Sequence, residues 1–388
     1  MNGHRCSLIY RYGICLLVVL VCVGCKSSNP VDSDALGEAM GARETLFRAD
    51  VRNSGVYGTS GPIGEASVDW SFATEAGIFS SPTVAGDQVF FGSDDGYVYA
   101  LQRESGALLW RFKTRGEVQA SPAFESGVVY VGSRDGFFYA LDARTGVVKW
   151  QFETAGEVFS SPAIDGNWVA FGSHDGHIYV LDRLSGQVRW RYQTEGFVFS
   201  SPAIVGGVIF FGSADGYVYA MNLTNGVGVW RFKTDHEVLG SPAVVNGTVY
   251  IGSEDLNFYA LDQYTGVEKW RYGVTDRIFV FPAMFSSAAV ANGVLYFGCG
   301  SHFLYALNVQ TGQLKWQYDS GSRISSSPGL AGQAVYFGSD AGDVFALDVN
   351  DGKVVWHYKT GDGVLSSPAI VDDRVLVGSF DKHFYAIK

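Results

Sequence analysis

Cysteine is scarce in this chain and badly placed for stapling a fold. Of five Cys, four (Cys6, Cys15, Cys22 and Cys25) crowd the first 25 residues and only Cys299 lies beyond them. No intrachain disulfide can form in the body of the protein, so stability has to come from packing. Charge is scarce as well, at 17% of residues, and leans acidic, with a formal net charge of −11. A surface of that sign repels phosphate and excludes nucleic acid as a partner. Long apolar runs are missing too. The one candidate, residues 14–23 behind Arg5 and Arg11, is too short to cross a bilayer as a helix and suits a secretory signal. No glycine-rich phosphate loop, nucleophile elbow or zinc-protease motif occurs.

What the chain has is repetition. Residues 161–190 recur with small changes over nearly everything after residue 66. Within that stretch, residues 168–171, 177–181 and 188–192 are rich in aromatic and β-branched residues and are bounded by Gly, Asp or Ser, so each reads as a strand, with 159–164 supplying one more. Asp175-Gly176 is a tight-turn dipeptide, and Asp182 to Gly186 makes a second turn. Four antiparallel strands in about forty residues describe a propeller blade, an open sheet that must stack on neighbours to bury both faces.

Trp70, Trp110, Trp150, Trp190, Trp230, Trp270, Trp316 and Trp356 mark the copies, spaced by 40 residues everywhere except the 46 between Trp270 and Trp316. They are expected to pack between blades. The last copy, residues 367–387, stops before its Trp strand, whereas the first copy begins with such a strand, residues 67–72, and lacks the other three. Together the two ends make one blade. The expected fold is all-β, an eight-bladed β-propeller of four-stranded antiparallel blades, its ring closed by an N-terminal strand that completes the last blade and removes the open edges.

Residues 1–25 resemble a bacterial lipoprotein signal. Gly24 precedes Cys25, which the resemblance makes the lipid-bearing first residue of the mature chain. Cys22 stands where that pattern has Leu, so simple cleavage and an uncleaved anchor are the alternatives. Lys26, by resemblance to the enterobacterial sorting rule, implies an exported protein held in the outer membrane and facing the periplasm. Residues 26–50 read as a flexible tether and 51–388 as the propeller, with residues 45–64 expected to lie across one face of the ring.

The units ALDARTGVVKW, from Ala140 to Trp150, and ALDVNDGKVVW, from Ala346 to Trp356, resemble the repeat of quinoprotein alcohol dehydrogenases, the pyrroloquinoline quinone (PQQ)-like repeat. That family has an enzymatic branch and a non-enzymatic one, which includes the barrel-assembly lipoproteins of the outer membrane. The enzymatic branch implies an adjacent Cys pair over the quinone, a calcium held by acidic and amide side chains, and a catalytic Asp. This chain has no adjacent Cys pair, and Asp95, Asp135, Asp175, Asp215 and Asp255 recur at one turn of successive blades, as turn formers do. The expectation is a protein with no catalytic residue, no PQQ and no calcium. It is a monomeric scaffold that binds other envelope proteins and reaches the membrane through its lipid. A PQQ-dependent dehydrogenase and a small-ligand sensor at the channel mouth are the alternatives.

Breaks in the repeat locate the candidate sites. The extra residues after Trp270 fall in the loop 273–285 leading into the next blade, with Asp276, Arg277, Phe279, Phe281 and Phe285. Exposed Phe beside Arg has the composition of an interface anchor; the alternative is a loop folded inward as a channel plug. On the same face, five residues before the repeat Pro, stand Glu117, Glu157, Glu237 and Arg323, a candidate channel-mouth rim. Cys299 and His302 are spaced as C-x-x-H, but two ligands alone make a poor zinc site. His174 and His177 flank one turn and are expected to be solvated.

Overall fold

A computed structural model describes residues 48–274 and 286–388. The described residues form eight four-stranded sheets, each antiparallel, with the strands of seven of them in chain order. Blade 3 shows the unit. Ala163–Asp165, Trp168–Gly172, His177–Asp182 and Val188–Gln193 run from the central channel outward. The two middle strands are buried on both faces, which is why their sequences are nearly continuous apolar runs, while the outer strand alternates with solvent. The inner strand is shorter than the run 159–164 implies. It starts at Ala163 because Pro162 has no N–H to give a ladder and the N–H of Ser161 turns to the neighbouring blade.

Two repeated residue types lock blade to blade. The indole N–H of seven of the eight serial Trp donates to a turn carbonyl of the following blade, as in Trp110 to Ala143 at 2.8 Å and Trp230 to Gln263 at 2.9 Å. Gly146, in the left-handed region at φ +71°, lies flat under Trp110: a Cβ there would stand 2.6 Å from Cε3. Within the blade, the Tyr of the third strand donates to the turn Asp, at 2.7 Å for Tyr179 and Asp175. Burial and that carboxylate hold the phenol well above its ordinary range. Asp175 also accepts from the backbone N–H of His177 and Ala155, both at 3.0 Å, so the recurring Asp residues are turn formers that staple the incoming loop.

Closure follows the expected route. Val68–Ala73 pairs antiparallel with His383–Ile387 and becomes the outer strand of blade 8. Blade 8 therefore has no turn of its own between third and fourth strands, and Trp356 would lack its acceptor. Pro62 supplies it, accepting from Trp356 Nε1 and from the Tyr336 hydroxyl, both at 2.9 Å.

The seam is also charged. Asp69 accepts from Arg374 Nε at 2.8 Å and from Lys388 Nζ, and Arg374 reaches Glu104 at 3.0 Å. Hydrogen bonds from Lys388 and Arg374 hold the Asp69 carboxyl below its ordinary value. A depressed carboxylate pKa stabilises the fold above the unfolded value of about 3.9 and ceases to do so as pH falls through the folded one. Asp69→Asn should therefore melt below wild type at pH 7, with the gap closing toward pH 3 in thermal scans; a gap independent of pH would contradict the assignment.

Ahead of the seam, the chain winds around one mouth of the channel. Carbonyls of Val51, Arg52, Ser54 and Gly55 accept from the inner-strand N–H groups of Ile204, Val244, Val290 and Leu330, at 2.8, 3.0, 3.0 and 2.8 Å. Those strands belong to four successive blades. Asn53 Nδ2 donates to Pro202 and Pro242 carbonyls at 3.2 and 3.1 Å, and the buried Arg48 guanidinium donates to Ala288 O. Among the described residues, the segment from Arg48 to Pro62 thus contacts the ring, while residues 45–47 of the stretch 45–64 lie outside the described residues.

Candidate binding site at the channel mouth

Ser81, Ser121, Ser161, Ser201, Ser241, Ser287, Ser327 and Ser367 stand where each blade enters its inner strand. Their N–H groups come too early for the strand ladder and would be orphaned next to a narrow channel. The neighbouring hydroxyl takes them. Each backbone N–H donates to the Oγ of the next serine, from Ser81 to Ser121 at 3.0 Å round to Ser367 and Ser81 at 2.9 Å, in an unbroken circle.

Two residues earlier, in the seven loops described at that position, comes a collar of Phe79, Phe159, Phe199, Leu239 and Leu365, interrupted by Gln119 and Ser325; the eighth position, Phe285, lies outside the described residues. Collar and serine circle bound a cavity of about 390 Å³. Just beyond the circle, Asn53 reaches the Ser201 and Pro202 carbonyls, so the N-terminal segment closes the channel below. The result is a cup with a hydroxyl floor and a largely apolar wall of three Phe and two Leu.

The rim above the collar separates the predicted residues. Glu117 and Glu157 are brought together by Arg134, which pairs with Glu117 through Nη1 and with Glu157 through Nη2 at 3.3 Å. Gln119 extends the network, donating to Asp94 at 2.9 Å and to Glu117 at 3.2 Å. Burial raises the Asp94 carboxyl above its usual range. Glu237 stands two blades further on, outside that network, and Arg323 faces Asp340 at 3.6 Å. His174 is packed rather than solvated, 4.5 Å from the Phe159 ring and 4.7 Å from Phe197, and burial lowers its pKa. His177 turns away to Asp175 at 3.2 Å.

Sequence reasoning does not single out Arg134, Asp94 or Gln119. Each occupies a slot that differs from blade to blade, a signal lost among the other surface variations. Asp276, Arg277, Phe279, Phe281 and Phe285, like Cys25, lie outside the described residues. The loop that carries the five joins Val274 to Ser286, and blades 6 and 7, which follow it, are the irregular ones. In blade 6, Ser301 and Cys299 replace the turn Asp and Ser, with Cys299 Sγ 2.8 Å from Ser301 Oγ. Blade 7 has Ala341 and Phe345 in place of the Asp–Tyr pair. Among the described residues, no three His, Cys, Asp or Glu gather in a group that would hold a metal.

Residues 64–295 match the family model described as the beta-propeller of the beta-alanine-activating enzyme. The chain belongs to that propeller family. Residues 319–388 match a second model, described as outer membrane protein assembly factor BamB. No curated protein sequence matches the chain. Solved structures share the propeller fold of this chain. BamB from Moraxella catarrhalis aligns at a TM-score of 0.71 with 21% identity, over 83% of this chain and 97% of that one. A quinohemoprotein alcohol dehydrogenase from Comamonas testosteroni aligns at 0.77 with 14% identity, over 92% and 82%. The computationally designed Ika8 protein aligns at 0.71 with 18% identity, over 81% and 96%. An assembly factor, an enzyme and a design thus share the ring, so the ring by itself carries no activity.

Proposed function

We propose that this chain is a non-enzymatic cell-envelope lipoprotein whose propeller is a rigid platform for other envelope proteins, of the kind that serves outer-membrane protein assembly. The channel carries the reading. One end is filled by the chain's own residues 48–57, and the lining of the small cup at the other contains one carboxylate and one guanidinium, Asp340 and Arg323, facing each other. PQQ is a tricarboxylate, and calcium takes roughly six to eight oxygen ligands, commonly several carboxylates among them. The described lining fits neither group. The match of residues 319–388 to the assembly-factor model supports the same reading; the likenesses to solved structures, of similar strength for BamB and for the dehydrogenases, do not separate the two branches.

In this reading Cys25 carries the lipid, the ring is monomeric, and Asp276, Arg277, Phe279, Phe281 and Phe285 make the partner contact from the loop entering blade 6. The test is a crosslinking pull-down from membranes. Phe279→Ser with Phe281→Ser is expected to abolish partner capture while shifting the melting temperature by less than about 2 °C, whereas a large loss of stability would make the loop core instead. Cys25→Ser should release the chain from the membrane fraction. Calorimetric titration with PQQ and calcium is expected to show no saturation; one equivalent bound per ring would overturn the non-enzymatic reading.

A further inference from the structure

The cup has a use that a purely protein-binding platform does not require. Around its mouth stand Asp94, Glu117, Glu157, Glu237, Glu254 and Asp340, the second-row residues fixed to the rim through backbone bonds such as Arg134 N to Glu117 O and Glu254 N to Glu237 O, both at 2.9 Å. Against those six carboxylates the described mouth sets two guanidiniums, and both face carboxylates: Arg134 lies between Glu117 and Glu157, and Arg323 opposite Asp340. The field at the entrance is negative and is focused by the low-dielectric walls of a narrow channel.

Below the carboxylates the wall includes three aromatic rings, Phe79, Phe159 and Phe199. An aromatic face attracts cations through its quadrupole, more strongly where water is excluded. The protein already uses this property at the same place, because the Arg134 guanidinium lies 5.1 Å from the centroid of the Phe159 ring. Phe79 and Phe199 line the same cavity. At about 390 Å³ the cup lies at the small end of ligand pockets. It has room for one ring and a compact head group.

From the acidic mouth, the aromatic collar and the blind hydroxyl floor we propose that the cup binds a small organic cation with an apolar body, of the aryl- or alkylammonium class. The carboxylates raise its concentration at the entrance, and Phe79 and Phe199 hold the charged head. The serine circle ends the pocket and sets the length of the ligand. This site is independent of the platform role, and either reading stands if the other fails.

The test is calorimetric titration of the full-length chain in detergent with three probes of similar size, benzyltrimethylammonium, benzyl alcohol and benzoate. The cation is expected to saturate one site, benzyl alcohol to bind at least 10-fold more weakly, and benzoate to show no saturation. Phe199→Leu keeps the site apolar and removes the π face, so it should weaken the cation at least 5-fold and leave benzyl alcohol within 2-fold. Glu237→Gln, at the half-buried rim, should weaken the cation and reduce its salt dependence. Equal affinity for cation and alcohol, tighter binding of benzoate, or no binding of the cation would each overturn the proposal.

Discussion

Replacing Trp110 with Ala is expected to destabilise the ring by about 3–5 kcal/mol. The side chain is only 8% exposed, lies flat on Gly146, packs 5.8 Å from the Phe90 ring and ties blade 1 to the Ala143 carbonyl of blade 2. Gly146 cannot fill the space left behind, because its backbone is already in the left-handed region at φ +71°. The loss therefore combines buried apolar area, a cavity between two sheets and one of the two hydrogen bonds to the Ala143 carbonyl, which keeps the one from Gln88 Nε2 at 3.2 Å. Urea denaturation reads it as a fall in midpoint at constant slope. The same change at Trp190, which is less deeply buried, should cost less. A loss below about 1 kcal/mol at Trp110 would remove the Trp series from the account of what holds the blades together.

Removing residues 1–73 is expected to have the larger effect. The truncation takes away Val68–Ala73 and leaves His383–Ile387 as an unpaired strand edge of blade 8. It also removes Pro62, the acceptor for Trp356, and the carbonyls of residues 51–55 that bind four inner strands. An open edge of that kind recruits other chains. The truncated protein should lose its cooperative melt and elute as oligomers in size-exclusion chromatography. A chain beginning at Arg48 keeps every one of these contacts and should behave as the full protein does. A monomeric, cooperatively melting product from the shorter chain would mean that the strand closes nothing essential.

Much of this architecture is legible in the order of the residues. The 40-residue Trp spacing and the Asp-Gly turns specify blade number, because they depend on pairing between strands adjacent in sequence, and the complementary half-copies at the two ends specify closure, because only the first strand, Val68–Ala73, can complete the blade that ends at His383–Ile387. Aromatic content overestimates the inner strand at its start, since it does not show that Phe159 to Pro162 spend their backbone on the channel. His174 defeats sequence reasoning for a related reason: its neighbours Phe159 and Phe197 are distant along the chain and meet it only in the folded ring.

The sequence by itself determined the ring, its eight blades, its seam and the inter-blade role of Trp, all of which follow from a strand period repeated in order. The tertiary structure alone decided what the channel is. Serines 40 or 46 residues apart become hydrogen-bonded neighbours, Arg134 joins two glutamates from adjacent blades, and a Pro62 carbonyl stands in for a turn the chain does not have. These contacts arise when eight sheets curve around one axis, and that curvature brings together side chains whose spacing along the chain carries no local signal.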